Sequence, residues 1–196
     1  MQRDLRVCFV GDSFVAGHGD TSALGWVGRV SAAALTAGLP LTAYNLGVRR
    51  DTSVLIRDRI RREAGPRLAP ANDPRVILSF GVNDTTIEGG AQRVDPHESV
   101  LAFRQSVRAV APAEVAFVTA PAVDDDAQNE RIHDLNQLLL AEAAACGVLA
   151  VDTFAATSED EVWRREVRDG DRFHPDSAGY ERLAGLVTAP LLDWLS

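Results

Sequence analysis

Lysine is absent from this sequence, although arginine is plentiful. All 20 basic residues are arginine, set against 28 acidic residues, so the formal net charge is −8 at pH 7. We interpret the absence as a compositional bias, since no site chemistry excludes lysine from every position. The acidic balance, with a pI of about 5.0, argues against a nucleic-acid-binding protein, because such a surface needs clustered positive charge.

Cysteine is scarce, and long apolar runs are missing. The two cysteines, Cys8 and Cys146, cannot form a disulfide framework; we expect both to be small buried hydrophobic residues in a reduced compartment. No apolar run approaches the ~20 residues of a membrane span. Charged residues at the start of the chain lead directly into an apolar run, which leaves no room for a signal peptide. We therefore expect a cytoplasmic protein, unless an export signal has been removed.

Apolar runs of strand length alternate with segments of helical periodicity along the whole chain. The length of 196 residues fits one domain, residues 1–196, with a single continuous core. The predicted strands are Leu5–Val10, Leu41–Leu46, Arg75–Phe80, Val115–Thr119 and Val148–Val151, each apolar throughout. Such alternation is typical of right-handed βαβ units, so it predicts an α/β fold with a five-stranded parallel sheet between two helix layers.

Five helices are predicted between and after these strands. Apolar positions at helical spacing mark residues 26–37, 54–64, 100–111, 132–146 and the segment from Ser177 onward. In the second helix the arginines 57, 59, 61 and 62 indicate one solvent-exposed face. We expect Gly65 and Pro66 to end that helix, leaving a loop to Pro74, and Pro190 to break or kink the last helix.

Unusual residues follow the first three predicted strands. Ser13 lies in a Gly-Asp-Ser turn after strand one, Gly47 follows strand two, and Asn83 follows strand three. Because ligands bind outside the carboxyl ends of the strands in parallel sheets, these three residues are expected to converge on one edge. That convergence predicts a functional site there.

Ser13 is the candidate nucleophile of this site. A serine hydroxyl attacks only when a base accepts its proton, and that base needs an orienting partner. His174 is the candidate base, because Asp171 lies three residues before it in the same turn and Pro175 stiffens the backbone after it. Asp176 or Ser177 is expected to cap the last helix.

Other residues remain open for these roles. His18 lies close to Ser13 in a glycine-rich loop, with Asp20 as its nearest acidic neighbour, and Asp169 is a second candidate for the carboxylate. His97 and His133 are expected to be solvent-exposed.

Acyl transfer also needs donors for the developing oxyanion, each of which supplies about 2.7–4 kcal/mol. The candidates are the backbone N–H groups of Ser13 and Gly47 and the side-chain amide of Asn83. The alternatives are an ordinary turn glycine at Gly47 and a turn formed by the Asn83 side chain. We expect Asp12 to brace the turn through backbone hydrogen bonds.

Four motifs in this order resemble the blocks of the SGNH (GDSL) hydrolase family. They are Gly11-Asp12-Ser13, Asn45-Leu46-Gly47, Gly81-Val82-Asn83-Asp84 and Asp171-x-x-His174-Pro175, with a further similarity at Gly179-Tyr180. The resemblance implies a flavodoxin-like α/β/α sandwich, a catalytic triad of Ser13, His174 and Asp171, and an oxyanion hole formed by Ser13, Gly47 and Asn83.

The sequence thus predicts a serine ester hydrolase that works through an acyl-Ser13 intermediate on a small-molecule acyl ester. Short loops favour an open cleft for small or short-chain acyl groups. Thioesterase and acyltransferase activity with the same triad remain alternatives, as do a non-catalytic binding module and a nucleotide-binding protein.

No cofactor or metal is expected, and the acidic run 124–126 is interpreted as a solvated loop. Arg49 and Arg50 are either solvated or favour a substrate with an anionic leaving group; oligomeric state is not predicted.

Overall fold

The computed structural model describes residues 3–196 as eight helices and seven strands. The strands are β1 (Leu5–Gly11), β2 (Leu41–Gly47), β3 (Asp73–Ser79), β4 (Ile87–Glu88), β5 (Ala91–Gln92), β6 (Glu114–Val118) and β7 (Leu149–Val151). The helices are α1 (Ser13–Ala16), α2 (Gly25–Thr36), α3 (Ser53–Leu68), α4 (Pro96–Ala109), α5 (Asp126–Ala145), α6 (Phe154–Glu159), α7 (Glu161–Asp169) and α8 (Ser177–Leu195).

Five strands form one parallel sheet in the order β2-β1-β3-β6-β7, which confirms the predicted α/β architecture. The chain passes from β1 to β2 on one side and then returns to β3 on the other side. This reversal opens a crevice at the carboxyl ends of β1 and β3, the position where ligands bind in such sheets. The antiparallel pair β4–β5 lies outside the main sheet.

Alternate residues of the central strands enter two different hydrophobic cores. Val7 and Phe9 of β1 pack with α2, α7 and α8, whereas Cys8 and Val10 pack with α3, α4 and α5. Burial on both faces explains why the central strands are continuously apolar. The edge strand β2 is different: none of its residues is fully buried, because only one strand and little of the helix layers cover it.

The predicted end of α3 at Gly65 and Pro66 is wrong, and α8 is not broken at Pro190. α3 continues through Gly65 and Pro66 to Leu68, and α8 continues through Pro190 to Leu195. Leu68 is 6% exposed and Leu195 is fully buried. Burial of a leucine side chain contributes roughly 1.5–3 kcal/mol, which is comparable to the ~3 kcal/mol cost of a proline inside a helix. The apolar face therefore continues beyond each proline.

Three helices, α1, α6 and α7, and the β4–β5 hairpin were not predicted from the sequence. The start of α7 does carry a signal, because the Asp160 side chain accepts a hydrogen bond from the Trp163 backbone N–H at 2.8 Å. Trp163 and Val167, one turn apart, then enter the core. The hairpin has only two residues in each strand, which is too short for a periodic pattern.

The prediction for the cysteines is confirmed at Cys8, which is fully buried, and wrong at Cys146, which is exposed. Cys146 is the C-cap residue of α5 and its thiol donates to the Glu142 carboxylate at 3.3 Å. Within residues 3–196, no helix combines the length and the apolar character that crossing a membrane requires.

Candidate active site

Ser13 is held at the junction between β1 and α1. A Cβ atom on Gly11 would lie 2.0 Å from the Ser79 carbonyl oxygen of β3, so only glycine fits at the end of β1. The next residue, Asp12, accepts a hydrogen bond from the Phe14 backbone N–H at 2.9 Å and caps α1. The expectation that Asp12 braces the turn is confirmed. Ser13 follows as the first residue of α1 and is 5% exposed.

The loop between α7 and α8 orients Asp171 through its own backbone. Asp171 Oδ1 accepts hydrogen bonds from the N–H groups of Phe173 and His174 at 2.9 and 2.8 Å. Arg172 adopts a left-handed conformation, with φ of 71°, and its side chain pairs with Asp124 at 3.0 Å. The loop ends where Asp176 caps α8, as predicted. The second oxygen of Asp171 is thereby left to face the imidazole.

Ser13, His174 and Asp171 form a continuous hydrogen-bonded chain. Asp171 Oδ2 lies 2.7 Å from His174 Nδ1, and His174 Nε2 lies 2.7 Å from Ser13 Oγ. In a neutral imidazole, a proton on Nδ1 that is donated to the carboxylate leaves Nε2 as the acceptor for the serine hydroxyl. The geometry therefore suits proton transfer from Ser13 to His174.

The local environment favours the protonation states that this transfer needs. Burial lowers the pKa of His174 below its ordinary value, an effect that the Asp171 carboxylate opposes and that the charges of His18 and Arg49 reinforce. Burial alone would raise the pKa of Asp171, but hydrogen bonds from His174 and Phe173 outweigh it and hold that pKa below the usual value. A neutral imidazole and an ionised carboxylate are thus expected at neutral pH.

The side chains of the alternative residues make no hydrogen bond to the Ser13 hydroxyl; His18 contacts Ser13 through its backbone N–H, which donates to the Ser13 carbonyl at 3.0 Å. The His18 ring packs edge-on against His174 with centroids 4.7 Å apart, and its Nε2 lies 3.8 Å from Asp171 Oδ2. Asp20 instead accepts from the backbone of Gly25 and pairs with Arg29. Asp169 ends α7 beside Arg168.

The same histidines and carboxylate are also the candidate metal ligands. Within residues 3–196, only His18, Asp171 and His174 bring three such ligand atoms within 4.8 Å of one another. A cation there would compete with the hydrogen bond between His174 and Asp171. The acidic run 124–126 has structural roles instead, since Asp124 pairs with Arg172 and Asp125 caps α5.

The candidate oxyanion donors differ in how they are placed. Asn83 lines the cavity beside Ser13, and its Nδ2 donates to the Asp51 carbonyl at 3.0 Å and, at the longer distance of 3.4 Å, to Asp12 Oδ2. The Gly47 N–H donates to its neighbour Asn45 Oδ1 at 2.9 Å. A Cβ on Gly47 would lie 2.1 Å from the Ala16 backbone nitrogen, so the glycine allows β2 to pack against the end of α1.

A buried charged layer beneath the site was missed from the sequence. Arg59 was expected on the exposed face of α3, but it is 8% exposed. Its guanidinium pairs with Asp51 at 2.6 Å and donates to the carbonyl oxygens of Gly11 and Leu46 at 2.9 Å. Arg59 therefore links the carboxyl ends of β1 and β2. An arginine on an arginine-rich helix gives no sequence signal for such a role.

Two buried carboxyl groups complete this layer. Asp84 accepts from the Ser53 backbone N–H and from the hydroxyls of Ser53 and Ser99. Burial, together with the charges of Asp84 and Asp51, raises the pKa of Asp12 to about 7. Asp12 thus titrates near neutral pH directly beside the candidate nucleophile.

The cavity above Ser13 has a volume of about 210 Å³ and is lined by both apolar and charged residues. Phe14, Val82 and Phe173 contribute apolar surface. Arginine side chains contribute positive charge: Arg49, Arg50 and Arg93 line the cavity together with Glu88. The arrangement is suited to a small substrate with an apolar part and a polar part.

Comparison with protein families matches residues 9–182 to the GDSL-like Lipase/Acylhydrolase family. This range includes each residue of the hydrogen-bonded chain described above. A comparison with curated proteins finds no significant match.

Solved structures share the fold. A lipase/acylhydrolase from Enterococcus faecalis superimposes with a TM-score of 0.81 at 21% identity, covering 98% of this chain and 97% of that one. A lipolytic protein of the G-D-S-L family from Veillonella parvula gives 0.73 at 19% identity, covering 92% and 94%. An acetyl xylan esterase from Geobacillus stearothermophilus gives 0.74 at 19% identity, covering 100% and 97%. At these identities the likeness establishes the fold.

Proposed function

The chain belongs to the GDSL-like lipase/acylhydrolase family, and we propose that it is a serine ester hydrolase acting on small or short-chain acyl esters. The observation that carries the proposal is the chain of 2.7 Å contacts from Asp171 through His174 to Ser13. These residues supply a carboxylate, a base and a nucleophile in the order that acyl transfer requires. Membership in an acylhydrolase family supports the same reaction class.

The proposed reaction has two steps. Ser13 Oγ attacks the ester carbonyl carbon while His174 Nε2 accepts the hydroxyl proton, and Asp171 stabilises the imidazolium that results. The tetrahedral intermediate collapses to acyl-Ser13, and the imidazolium returns the proton to the departing alcohol. A water molecule, deprotonated by His174, then attacks the acyl group and releases the carboxylic acid and free Ser13.

The negative charge of each tetrahedral intermediate needs donors on the cavity side of Ser13. We assign this role to the Ser13 backbone N–H and to the Asn83 amide, whose long 3.4 Å contact with Asp12 leaves one hydrogen weakly held. The Gly47 N–H, the third predicted donor, reaches an oxyanion only if its bond to Asn45 breaks. Gly47 therefore remains a prediction with less structural support than the other two.

The backbone N–H of Arg50, a residue of the cavity lining, is a further candidate donor. Arg50 lines the cavity with Ser13 and Asn83 and has a left-handed φ of 68°. Its N–H donates no hydrogen bond within residues 3–196. The Asp51 carbonyl that follows it accepts from the Asn83 amide at 3.0 Å, so this peptide segment adjoins an assigned donor. We include the Arg50 N–H as a candidate third donor.

The size of the acyl group is proposed from the cavity. A volume of about 210 Å³ lies below the ~300–1,000 Å³ of typical small-molecule sites, which favours acetyl and other short acyl groups over long chains. Thioesters and transfer to an alcohol acceptor need the same three residues, so thioesterase or acyltransferase activity is the alternative. The cytoplasmic location and the single domain over residues 1–196 remain predictions.

The test is a series of p-nitrophenyl esters of increasing acyl length, assayed with Ser13→Ala and with Ser158→Ala as a control. Ser158 is a serine of α6 whose hydroxyl donates only to the Ala155 carbonyl. We expect hydrolysis to decrease with chain length and Ser13→Ala to lower kcat by a factor on the order of 10⁶.

Labelling gives a second readout that does not depend on the substrate. A fluorophosphonate probe should modify the wild type at Ser13 and leave the Ser13→Ala variant unmodified. Near-native turnover in Ser13→Ala would contradict the proposal. Products analysed with and without added alcohol distinguish hydrolysis from acyl transfer.

A further inference from the structure

We propose that the three arginines in the lining of the cavity form a subsite for an anionic oxyacid group, a carboxylate or a phosphate, on the leaving alcohol of the ester. This inference rests on the proposed function and specifies its substrate class. It is carried by the position, pairing and charge of Arg49, Arg50 and Arg93, which line the same cavity as Ser13 and His174.

The arginines are brought to the cavity by two separate segments. Arg49 and Arg50 follow β2, whereas Arg93 follows the β4–β5 hairpin. A hydrogen bond of 3.0 Å from Arg93 NH1 to the Arg50 carbonyl joins the two segments. The side chain of Arg93 is only 15% exposed. This part of the cavity is therefore organised around Arg93, which joins the two segments, whereas the Arg50 side chain is 74% exposed and Arg49 is also exposed.

The positive charge is only partly neutralised. Glu88 is the carboxylate that pairs with Arg50 at 2.8 Å and lies 3.7 Å from Arg93. One carboxylate thus faces two guanidinium groups. Arg49 has no carboxylate within salt-bridge distance among residues 3–196. With Asp171, the lining holds two carboxylates against three arginines, and this excess of cations is local, since the whole chain carries a formal charge of −8.

The size of the acyl group indicates which half of the ester carries the anion. The cavity volume of about 210 Å³ favours acetyl and other short acyl groups, which carry no anion. Arg49 lines the same cavity as His174, the group that returns a proton to the departing alcohol. We therefore assign the anion to the alcohol half of the ester.

The substrates for the test are acetate esters of phenols that share one shape and differ in charge. The anionic esters are 4-acetoxybenzoate and 4-acetoxyphenyl phosphate; the neutral one is 4-acetoxybenzamide; the cationic one is 4-acetoxyphenyl-trimethylammonium. Each kcat/KM is divided by the rate of alkaline hydrolysis to remove differences in leaving-group reactivity. We expect the anionic esters to exceed the neutral one by about tenfold, a typical effect of one charged hydrogen bond, and the cationic ester to be the poorest.

The variants test whether Arg49 is the origin of the preference. Arg49→Gln should reduce the ratio of anionic to neutral kcat/KM by most of that factor, and Glu88→Gln should increase it. Arg62→Gln is the matched control, since Arg62 is an exposed arginine of α3 outside the cavity, and it should leave the ratio unchanged. At ~1 M salt the preference should decrease, because the screening length falls to about 3 Å.

The outcomes separate this inference from the proposed function. Ser13-dependent hydrolysis with equal normalised rates for anionic and neutral esters would overturn the anionic subsite and leave the hydrolase intact. A preference for mono-p-nitrophenyl succinate over p-nitrophenyl butyrate, without a preference among the acetates, would overturn the assignment to the alcohol half. Absence of Ser13-dependent turnover on every ester would contradict the proposed function itself. The ratio between the carboxylate and phosphate esters identifies which anion fits.

Discussion

Two cavities with opposite properties lie on either side of the Phe14–Trp163 pair. The cavity above Ser13 measures about 210 Å³, whereas the cavity between α5 and α7 measures about 740 Å³. Trp163 borders the larger cavity and stacks on Phe14, which borders the smaller one, with ring centroids 6.3 Å apart. The smaller cavity is rimmed by arginines and the larger one by carboxylates, among them Asp126, Glu130 and Asp134.

The comparison shows that the volume of a cavity does not identify the candidate active site. Both cavities contain a histidine beside an aspartate. In the larger cavity, His133 Nδ1 lies 3.4 Å from Asp134 Oδ1, and both side chains are more than half exposed. In the smaller cavity, the His174 side chain is 11% exposed, and its imidazole contacts both Asp171 and a hydroxyl group. A buried base that contacts a nucleophile distinguishes the candidate active site, because only there are both nitrogens of the ring fixed by partners.

The largest expected effect in this comparison comes from Asp171→Asn. Because Oδ1 already accepts two backbone N–H groups, the amide nitrogen of the new side chain must face His174 Nδ1. That arrangement places the imidazole proton on Nε2, which then cannot accept the Ser13 proton. We expect kcat to fall by about 10⁴, as for the same substitution in a serine protease triad.

Asp134→Asn is the matched control for Asp171→Asn, since it makes the same change beside the histidine of the larger cavity. It should leave kcat within experimental error. Equal losses in the two variants would show that the Asp171 carboxylate has no special role.

A smaller effect is expected from Asn83→Ala. Loss of one oxyanion donor lowers kcat by about 10²–10³ with little change in KM. Asn129→Ala removes an amide from the wall of the larger cavity, where it bonds to the backbone N–H and carbonyl of Val123. That control should lower the melting temperature without lowering kcat. An Asn83→Ala variant with increased KM and native kcat would indicate ground-state binding instead of oxyanion stabilisation.

The smallest expected effect concerns the pH dependence of kcat/KM. His174 must be neutral to accept the Ser13 proton, and burial lowers its pKa, so activity should rise with pH through a midpoint below 6.5. Arg49→Gln removes a positive charge that opposes protonation of His174, and should therefore move the midpoint upward. His133→Gln, in the larger cavity, should not move it.

Asp12 provides the check on this assignment, because burial raises its pKa to about 7. Asp12→Asn retains a side-chain oxygen for the Phe14 N–H but cannot ionise. If the midpoint persists in Asp12→Asn, the titrating group is His174. If it disappears, ionisation of Asp12 controls the site, through its contact with Asn83.

Much of the fold was predictable because the central strands are buried on both faces. A strand in which apolar and polar residues do not alternate can be recognised in the sequence as an apolar run. For this reason the positions of β1, β3 and β6 were predicted closely. The edge strand β2 was located as closely, at Leu41–Gly47 against the predicted Leu41–Leu46, whereas the helix end expected at Gly65 and Pro66 and the break expected at Pro190 were wrong. There, local preferences compete with burial against elements that are distant in sequence, and burial of Leu68 and Leu195 prevails.

The residues of the candidate site also form two groups: those whose partners are close in sequence were predictable, and those whose partners are distant were not. Asp171 and His174 were predictable because their pairing is local, built within one turn by backbone hydrogen bonds. Arg59 was not, because its partners Gly11, Leu46 and Asp51 come from three segments that meet only in the folded sheet. Gly47 was predicted as a donor because a glycine permits close approach of a ligand, whereas its close neighbour is the Ala16 backbone and its N–H bonds to Asn45.

The amino-acid sequence alone determined the order of strands and helices, the Gly-Asp-Ser turn and the local aspartate–histidine pair. Each depends on hydrophobic periodicity or on hydrogen bonds between residues close along the chain. Only the tertiary structure decided that Ser13 and His174, 161 residues apart, lie in contact, and that three arginines share their cavity. Those contacts depend on where the order of the strands reverses and on which loops meet at the carboxyl ends of the strands. No local interaction specifies either.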